Sequence, residues 1–181
     1  MELVIFLLGS LGFVILSLHT LIKPNSHGFP RFFAFEAILG LVVLNAPVWF
    51  VQPFSLPQLV SWALLLVSAF LAVHAFRVLR QFGKPDRSIQ DATRLTLEKT
   101  TRLVIEGPYH FIRHPMYASL LCLAWGVFLK QITLLSGLLV ILASLALYAT
   151  AILEEKENLR IFGNEYAAYM QRTRRFIPFV F

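Results

Sequence analysis

The chain has 181 residues, of which 57% are hydrophobic and only 14% charged, and its mean hydropathy is +0.70. A soluble domain carries roughly 25% charged residues, so this much apolar surface exceeds one soluble core and belongs in a bilayer. The formal charge of +6 reads as topology-setting, lipid-facing basic residues rather than a nucleic-acid surface, and the lone Cys122 excludes an intramolecular disulfide and a cysteine-based metal site.

In chain order, about five apolar segments predict an all-α integral membrane protein forming one domain over residues 1–181. The first runs from Leu3 to Ile22. It lacks the basic stretch that opens a signal peptide, so a retained span is expected. His19 and His27 near its end are too scattered for a metal site, and none is expected. The second span runs from Phe32 to Val51, with Glu36 one turn inside, within snorkelling reach of the interface. The third covers Leu56 to Leu79, where His74 reads as an interhelical hydrogen-bond former. A long loop, Gln81 to His114, follows. The fourth span, Pro115 to Leu129, is short and pairs with the fifth, Ile132 to Leu153, through a tight turn at Lys130 and Gln131.

Basic residues orient these spans. With the N-terminus outside, every lysine and arginine but Lys130 falls on one face, including Lys23, Arg31, Arg77, Arg113, Lys156 and Arg175. The positive-inside rule makes that face cytoplasmic. The chain's chemistry gathers there too. Gly107-Pro108 in "EGPYHF" forces a turn that swings Tyr109 toward the next helix. Pro115 suits a first helical position, where its missing N–H costs nothing. Arg113, His114 and Tyr117 surround that helix mouth. They suit an anionic group such as a carboxylate, or equally an anchor, a cap and an interfacial aromatic.

The tail segment "LEEKENLRIFGNEYAAYM" places Glu155, Leu159, Phe162, Tyr166, Tyr169 and Met170 on one helical face, an amphipathic helix with a bend expected at Gly163. Glu154 and Glu155 leave the membrane together. They read as solvated, as partners of Arg113, or as holders of a ribose, an amine or a cation. The sequence has no phosphate-cradling glycine loop, no GxSxG and no CxxC.

"TRLVIEGPYHFIRHPMY", followed by "EEKENLRIFGNEYAAYMQRTRRFIP", resembles the isoprenylcysteine carboxyl methyltransferase family, which includes membrane phospholipid methyltransferases. The resemblance covers residues 101–178, a methyltransferase-like region. It implies an S-adenosyl-L-methionine site at the cytoplasmic face, built from the loop before the fourth span and the C-terminal amphipathic helix. Carried over by position, the cofactor contacts are Thr101, Arg102, Leu103, Val104, Tyr109, His114, Pro115, Met116, Tyr117 and Glu154, with Glu155 beside it. Arg113 is the candidate for the acceptor's anionic group. The implied acceptor is an isoprenylcysteine-like carboxylate or another lipid-like amphiphile, met in the membrane, the cell membrane if the source is prokaryotic.

Two departures stand out. Thr150 occupies the position where prenylcysteine-acting members carry a substrate-holding arginine, and Asn158 stands where the family usually has an apolar residue. Two rival classes remain. Sterol-type membrane reductases, which use NADPH, share an "RHPxY" element but commonly have Asn where Met116 stands. A non-catalytic membrane scaffold would account for the spans and the basic face.

Overall fold

A computed structural model of the chain describes residues 1–83 and 102–178. The described residues form six α-helices: α1 (Glu2–Leu21), α2 (Gly28–Asn45), α3 (Leu56–Phe82), α4 (Pro115–Phe128), α5 (Leu134–Phe162) and α6 (Asn164–Arg172). Short 3-10 turns follow α2 at Ala46–Val48 and precede α4 at Gly107–His110. The loop basic residues Lys84, Arg87, Arg94 and Lys99, and the expected cofactor contact Thr101, lie outside the described residues.

Four of these helices, α1, α2 with its 3-10 extension, α3 and α5, are long and apolar enough to cross a membrane. Five spans were expected. The difference is α4, whose 14 residues rise only about 21 Å against a hydrocarbon core of ~30 Å. It begins at Pro115, as the sequence suggests. The second helix starts at Gly28, four residues before the expected Phe32, because the polar turn at Ser26 and His27 is buried rather than solvated.

Small residues decide how the helices meet. Ala34, Ala37, Ala118, Ala124, Ala143, Ala146 and Ala151 are all buried, so neighbouring backbones approach closely without needing a water-driven core. The main seams join α3 to α4, α2 to α5 and α1 to α2. The α3–α4 seam is stitched by hydroxyls: Ser61 donates to the Gly126 carbonyl at 2.6 Å and Ser68 to the Ser119 carbonyl at 2.7 Å. In an apolar surround such bonds fix register, since an unmet hydroxyl there is costly. By contrast α1 buries only Thr20, and its leucines and isoleucines face outward, as lipid contact requires.

The expected C-terminal helix is two helices. Gly163 breaks it with φ +54°, a left-handed conformation that suits glycine. The break turns α6 back over the loop before α4, burying Tyr166 and Tyr169. Beyond α6 the chain runs beside that loop: the Arg113 N–H donates to the Arg174 carbonyl at 2.7 Å and the His114 N–H to the Arg175 carbonyl at 3.1 Å. The start of α2, the ends of α3 and α5, the start of α4 and all of α6 therefore gather at one end of the bundle.

Candidate active site

A cavity of about 300 Å³ opens at that end. Its first wall is the turn before α4. Gly107 has φ +58°, and a Cβ there would lie 2.9 Å from Val78 Cγ2 on α3, so a side chain is excluded both by conformation and by space. This close approach seats Tyr109 in the cavity wall beside Leu103 and Val104. The Tyr169 hydroxyl of α6 donates to the Tyr109 carbonyl at 2.6 Å and locks the turn. Burial pushes the Tyr166 and Tyr169 phenols above their ordinary range, so both remain neutral hydrogen-bonding groups.

The second wall is the start of α4, with His114, Pro115, Met116 and Tyr117, and the third is the end of α5, with Glu154, Asn158 and Phe162. The His114 ring stacks on Tyr117 at 5.4 Å between centroids and an interplanar angle of 16°. Of the sequence-expected cofactor residues, Leu103, Val104, Tyr109, His114, Pro115, Met116, Tyr117 and Glu154 thus share one cavity. Arg102 is exposed and outside its lining.

Glu155 has a different place from its neighbour. It is 3% exposed and sits between two arginines: Arg113 Nε donates to Oε1 at 2.7 Å, while Arg175 donates to Oε1 at 3.1 Å through Nε and to Oε2 at 2.7 Å through Nη2. Arg113 also donates to the carbonyls of Met170 and Thr173, at 3.2 and 2.5 Å. This clasp joins α5, the stretch before α4 and the C-terminal tail. Arg113, expected to take the acceptor's anion, borders the cavity with its guanidinium held by protein partners.

Glu154 faces the cavity instead. Its Oε2 is buried without a hydrogen-bond partner among the described residues, and so is His114 Nε2. The two side chains are close, with His114 Nδ1 3.7 Å from Glu154 Oε2, while His114 Nε2 lies 3.4 Å from Glu155 Oε1. Such separations are too long for good hydrogen bonds. Buried polar atoms left short of partners at a cavity are where a ligand's polar groups belong. Thr150 is fully buried and turns its hydroxyl back to the Ala146 carbonyl at 2.7 Å.

Two features escaped the sequence reading. Arg31, read as a topology residue, is 5% exposed and lines the cavity. His27, read as scattered, has Nδ1 2.7 Å from Glu157 Oε2, and its N–H donates to Glu157 Oε1 at 3.2 Å. Nothing local in the sequence signals either, and the partner of His27 lies 130 residues away.

Comparison with known proteins bears on the family of the chain. The chain is 25% identical over 133 residues to protein-S-isoprenylcysteine O-methyltransferase B of Arabidopsis thaliana, covering 73% of this chain and 61% of that protein. It is 25% identical over 152 residues to methanethiol S-methyltransferase of Pseudomonas deceptionensis, covering 82% of this chain and 50% of that one. The chain therefore spans about half to three-fifths of the length of these curated relatives. No solved structure matches it. A family model for phospholipid methyltransferase matches residues 57–165. That match takes in α3, α4, α5 and the cavity walls they carry, and with it the chain belongs to the phospholipid methyltransferase family of membrane methyltransferases.

Proposed function

We propose that the protein is an S-adenosyl-L-methionine-dependent methyltransferase acting on a lipid-like amphiphile, with its site at the cytoplasmic ends of the helices. The observation that carries this reading is the convergence of Tyr109, His114, Tyr117 and Glu154 on one cavity in which a Glu154 oxygen is buried without a hydrogen-bond partner among the described residues. The cavity volume falls at the low end of small-molecule sites, about 300–1,000 Å³. Its residues fit the cofactor's chemistry. Glu154 would accept hydrogen bonds from ammonium or ribose hydroxyl groups, and Tyr109, Tyr117 and Tyr166 offer aromatic faces to a cation or a base. Leu103, Val104, Pro115 and Met116 would complete the cradle. Thr101 and Arg102 belong to the same proposed stretch, and Glu155 acts from behind by holding Arg113 and flanking His114.

Bound S-adenosyl-L-methionine supplies a sulfonium-activated methyl group, so the protein's work is positioning and water exclusion. Phe35, Ala72, Leu79 and Leu120 form the apolar side of the cavity, on the flank of α2, α3 and α4. Transfer to an anionic nucleophile consumes opposite charges, and a dry apolar wall favours a step in which charge disappears. A carboxylate needs no base. The two relatives are named for an oxygen and a sulfur acceptor, which supports a nucleophile of this kind on an apolar molecule. The basic face supports the cytoplasmic placement.

The test is titration of the purified protein with S-adenosylhomocysteine and with NADPH, followed by incubation with radiolabelled methyl donor and a lipid extract. Binding of the first nucleoside alone, with label appearing in an organic-soluble product, is expected. Binding of NADPH alone would replace this reading with a reductase, and binding of neither would favour a scaffold.

A further inference from the structure

His114 lines the cavity, and its ring lies between two carboxylates with different duties. Nε2 is 3.4 Å from Glu155 Oε1, the oxygen that Arg113 and Arg175 also hold, at 2.7 and 3.1 Å. Nδ1 is 3.7 Å from Glu154 Oε2, which has no hydrogen-bond partner among the described residues. The ring itself is fixed. Its backbone N–H donates to the Arg175 carbonyl, and its face stacks on Tyr117 at an interplanar angle of 16°. Both ring separations are long for hydrogen bonds, and a catalytic hydrogen bond commonly tightens only with substrate in place. A neutral imidazole carries one N–H, and the partner of that N–H decides which nitrogen keeps a lone pair. Glu155 is anchored by two arginines, so it is the fixed partner. An N–H turned to Glu155 leaves the Nδ1 lone pair on the Glu154 side, where the cavity lies. This is the arrangement of a base with an orienting acid behind it.

The surroundings also select the acceptor. An acceptor arriving as an anion would meet Glu154 and Glu155 beside the ring, and like charges oppose it. Arg113, next to His114 in the chain, is bound to Glu155, while Arg31 and Tyr166 share the cavity from α2 and α6. An acceptor arriving neutral meets no such opposition. An ordinary imidazole titrates about two pH units below a thiol and about four below an ammonium, so a thiol's proton is the one within its reach. Phe35, Ala72, Leu79 and Leu120 give the rest of the molecule an apolar wall.

We infer that His114 is the proton acceptor of this site, positioned by Glu155, and that the acceptor it serves is a thiol on an apolar molecule. The thiol proton moves to Nδ1, and the sulfur's electron pair forms a bond to the donor's methyl carbon. The bond from that carbon to the donor's sulfur breaks, and its electrons stay on the donor's sulfur. The products are a thioether, S-adenosylhomocysteine and an imidazolium, whose proton leaves to water past Glu154. The two carboxylates stabilise the charge that the ring gains. The inference rests on the reading of the cavity as a methyl-donor site.

The test uses the full chain in lipid nanodiscs, as wild type and His114→Gln. Two thiols are compared at saturating S-adenosyl-L-methionine: dodecanethiol, which must lose a proton, and 4-nitrothiophenol, already a thiolate at neutral pH. The expected loss of kcat in His114→Gln is about 100-fold or more with dodecanethiol, and at least about tenfold smaller with 4-nitrothiophenol. A second measurement needs neither turnover nor a variant. Dodecanethiol is added to the wild type holding sinefungin, a donor analogue with an ammonium in place of the reactive sulfonium, and the ultraviolet band of a thiolate is expected. Equal losses on both thiols would mean that His114 only shapes the site, and would overturn the inference. So would a wild type that methylates dodecanoate in preference to dodecanethiol. The band alone decides if the variant does not fold. A wild type that binds neither S-adenosylhomocysteine nor sinefungin sinks the methyl-donor reading, and this inference with it. One that binds them and shows no thiolate band sinks the inference alone.

Discussion

The two ends of α4 treat buried charge in opposite ways. At the Lys130 end, Nζ lies 3.3 Å from the Trp62 ring centroid and 5.4 Å from that of Trp49. It also donates to Gln58 Oε1 at 3.1 Å, and Gln58 Nε2 donates back to the Lys130 carbonyl at 2.9 Å. The lysine and the glutamine are met on all sides. At the Pro115 end, His114 Nε2 and Glu154 Oε2 are just as buried, yet lack hydrogen-bond partners among the described residues. Burial alone therefore does not separate scaffold from site. The two ends differ in partnering: Lys130 and Gln58 meet each other, whereas His114 Nε2 and Glu154 Oε2 are left short where the cavity opens.

Variants can sharpen or break this contrast. The largest effect on stability is expected from Glu155→Ala, which leaves Arg113 and Arg175 facing each other without their shared carboxylate. Removing one member of a buried ionic cluster costs about 3–5 kcal/mol, read as a lower thermal unfolding midpoint in detergent. Its neighbour should behave in the reverse manner. Glu154→Gln should leave the midpoint close to wild type but weaken S-adenosylhomocysteine by about 10- to 100-fold in a titration, ~1.4–2.7 kcal/mol. If that variant unfolds and still binds, the contrast between the adjacent acids is wrong. The smallest effect belongs to the far end. Lys130→Met should lose about 1–2 kcal/mol through the aromatic and Gln58 contacts and leave nucleoside affinity unchanged. A fall in affinity there would mean the two ends of α4 are coupled.

The contrast also shows where sequence reading reaches. Pro115 opens α4 because proline is preorganised for a first helical turn, and Gly107 and Gly163 mark turns because only their conformations fit there. These are local constraints, visible in a few adjacent letters. The separate tasks of Glu154 and Glu155 are not local. Successive helix residues point about 100° apart, and which one meets the tail depends on how α5 rotates against α2 and α4. The same rotation gives Arg113 to Glu155 instead of to a ligand. Arg31 was hidden for a related reason. A single arginine at a helix start looks like any interfacial anchor until the α2–α5 seam encloses it. The shortness of α4 was legible from its apolar run, whereas its failure to qualify as a span is a matter of about 9 Å of missing rise.

The pairing of Arg113 and His114 with the carbonyls of Arg174 and Arg175 has a consequence for biosynthesis. During translation the hydrophobic helices enter the bilayer one after another, each as soon as it leaves the ribosome. The N–H groups of Arg113 and His114 lack these backbone partners until residues 174 and 175 have been made. Insertion and maturation are thus separate events in time, and the pocket is finished only after residues 174 and 175, about sixty positions downstream of the wall they support, have been made.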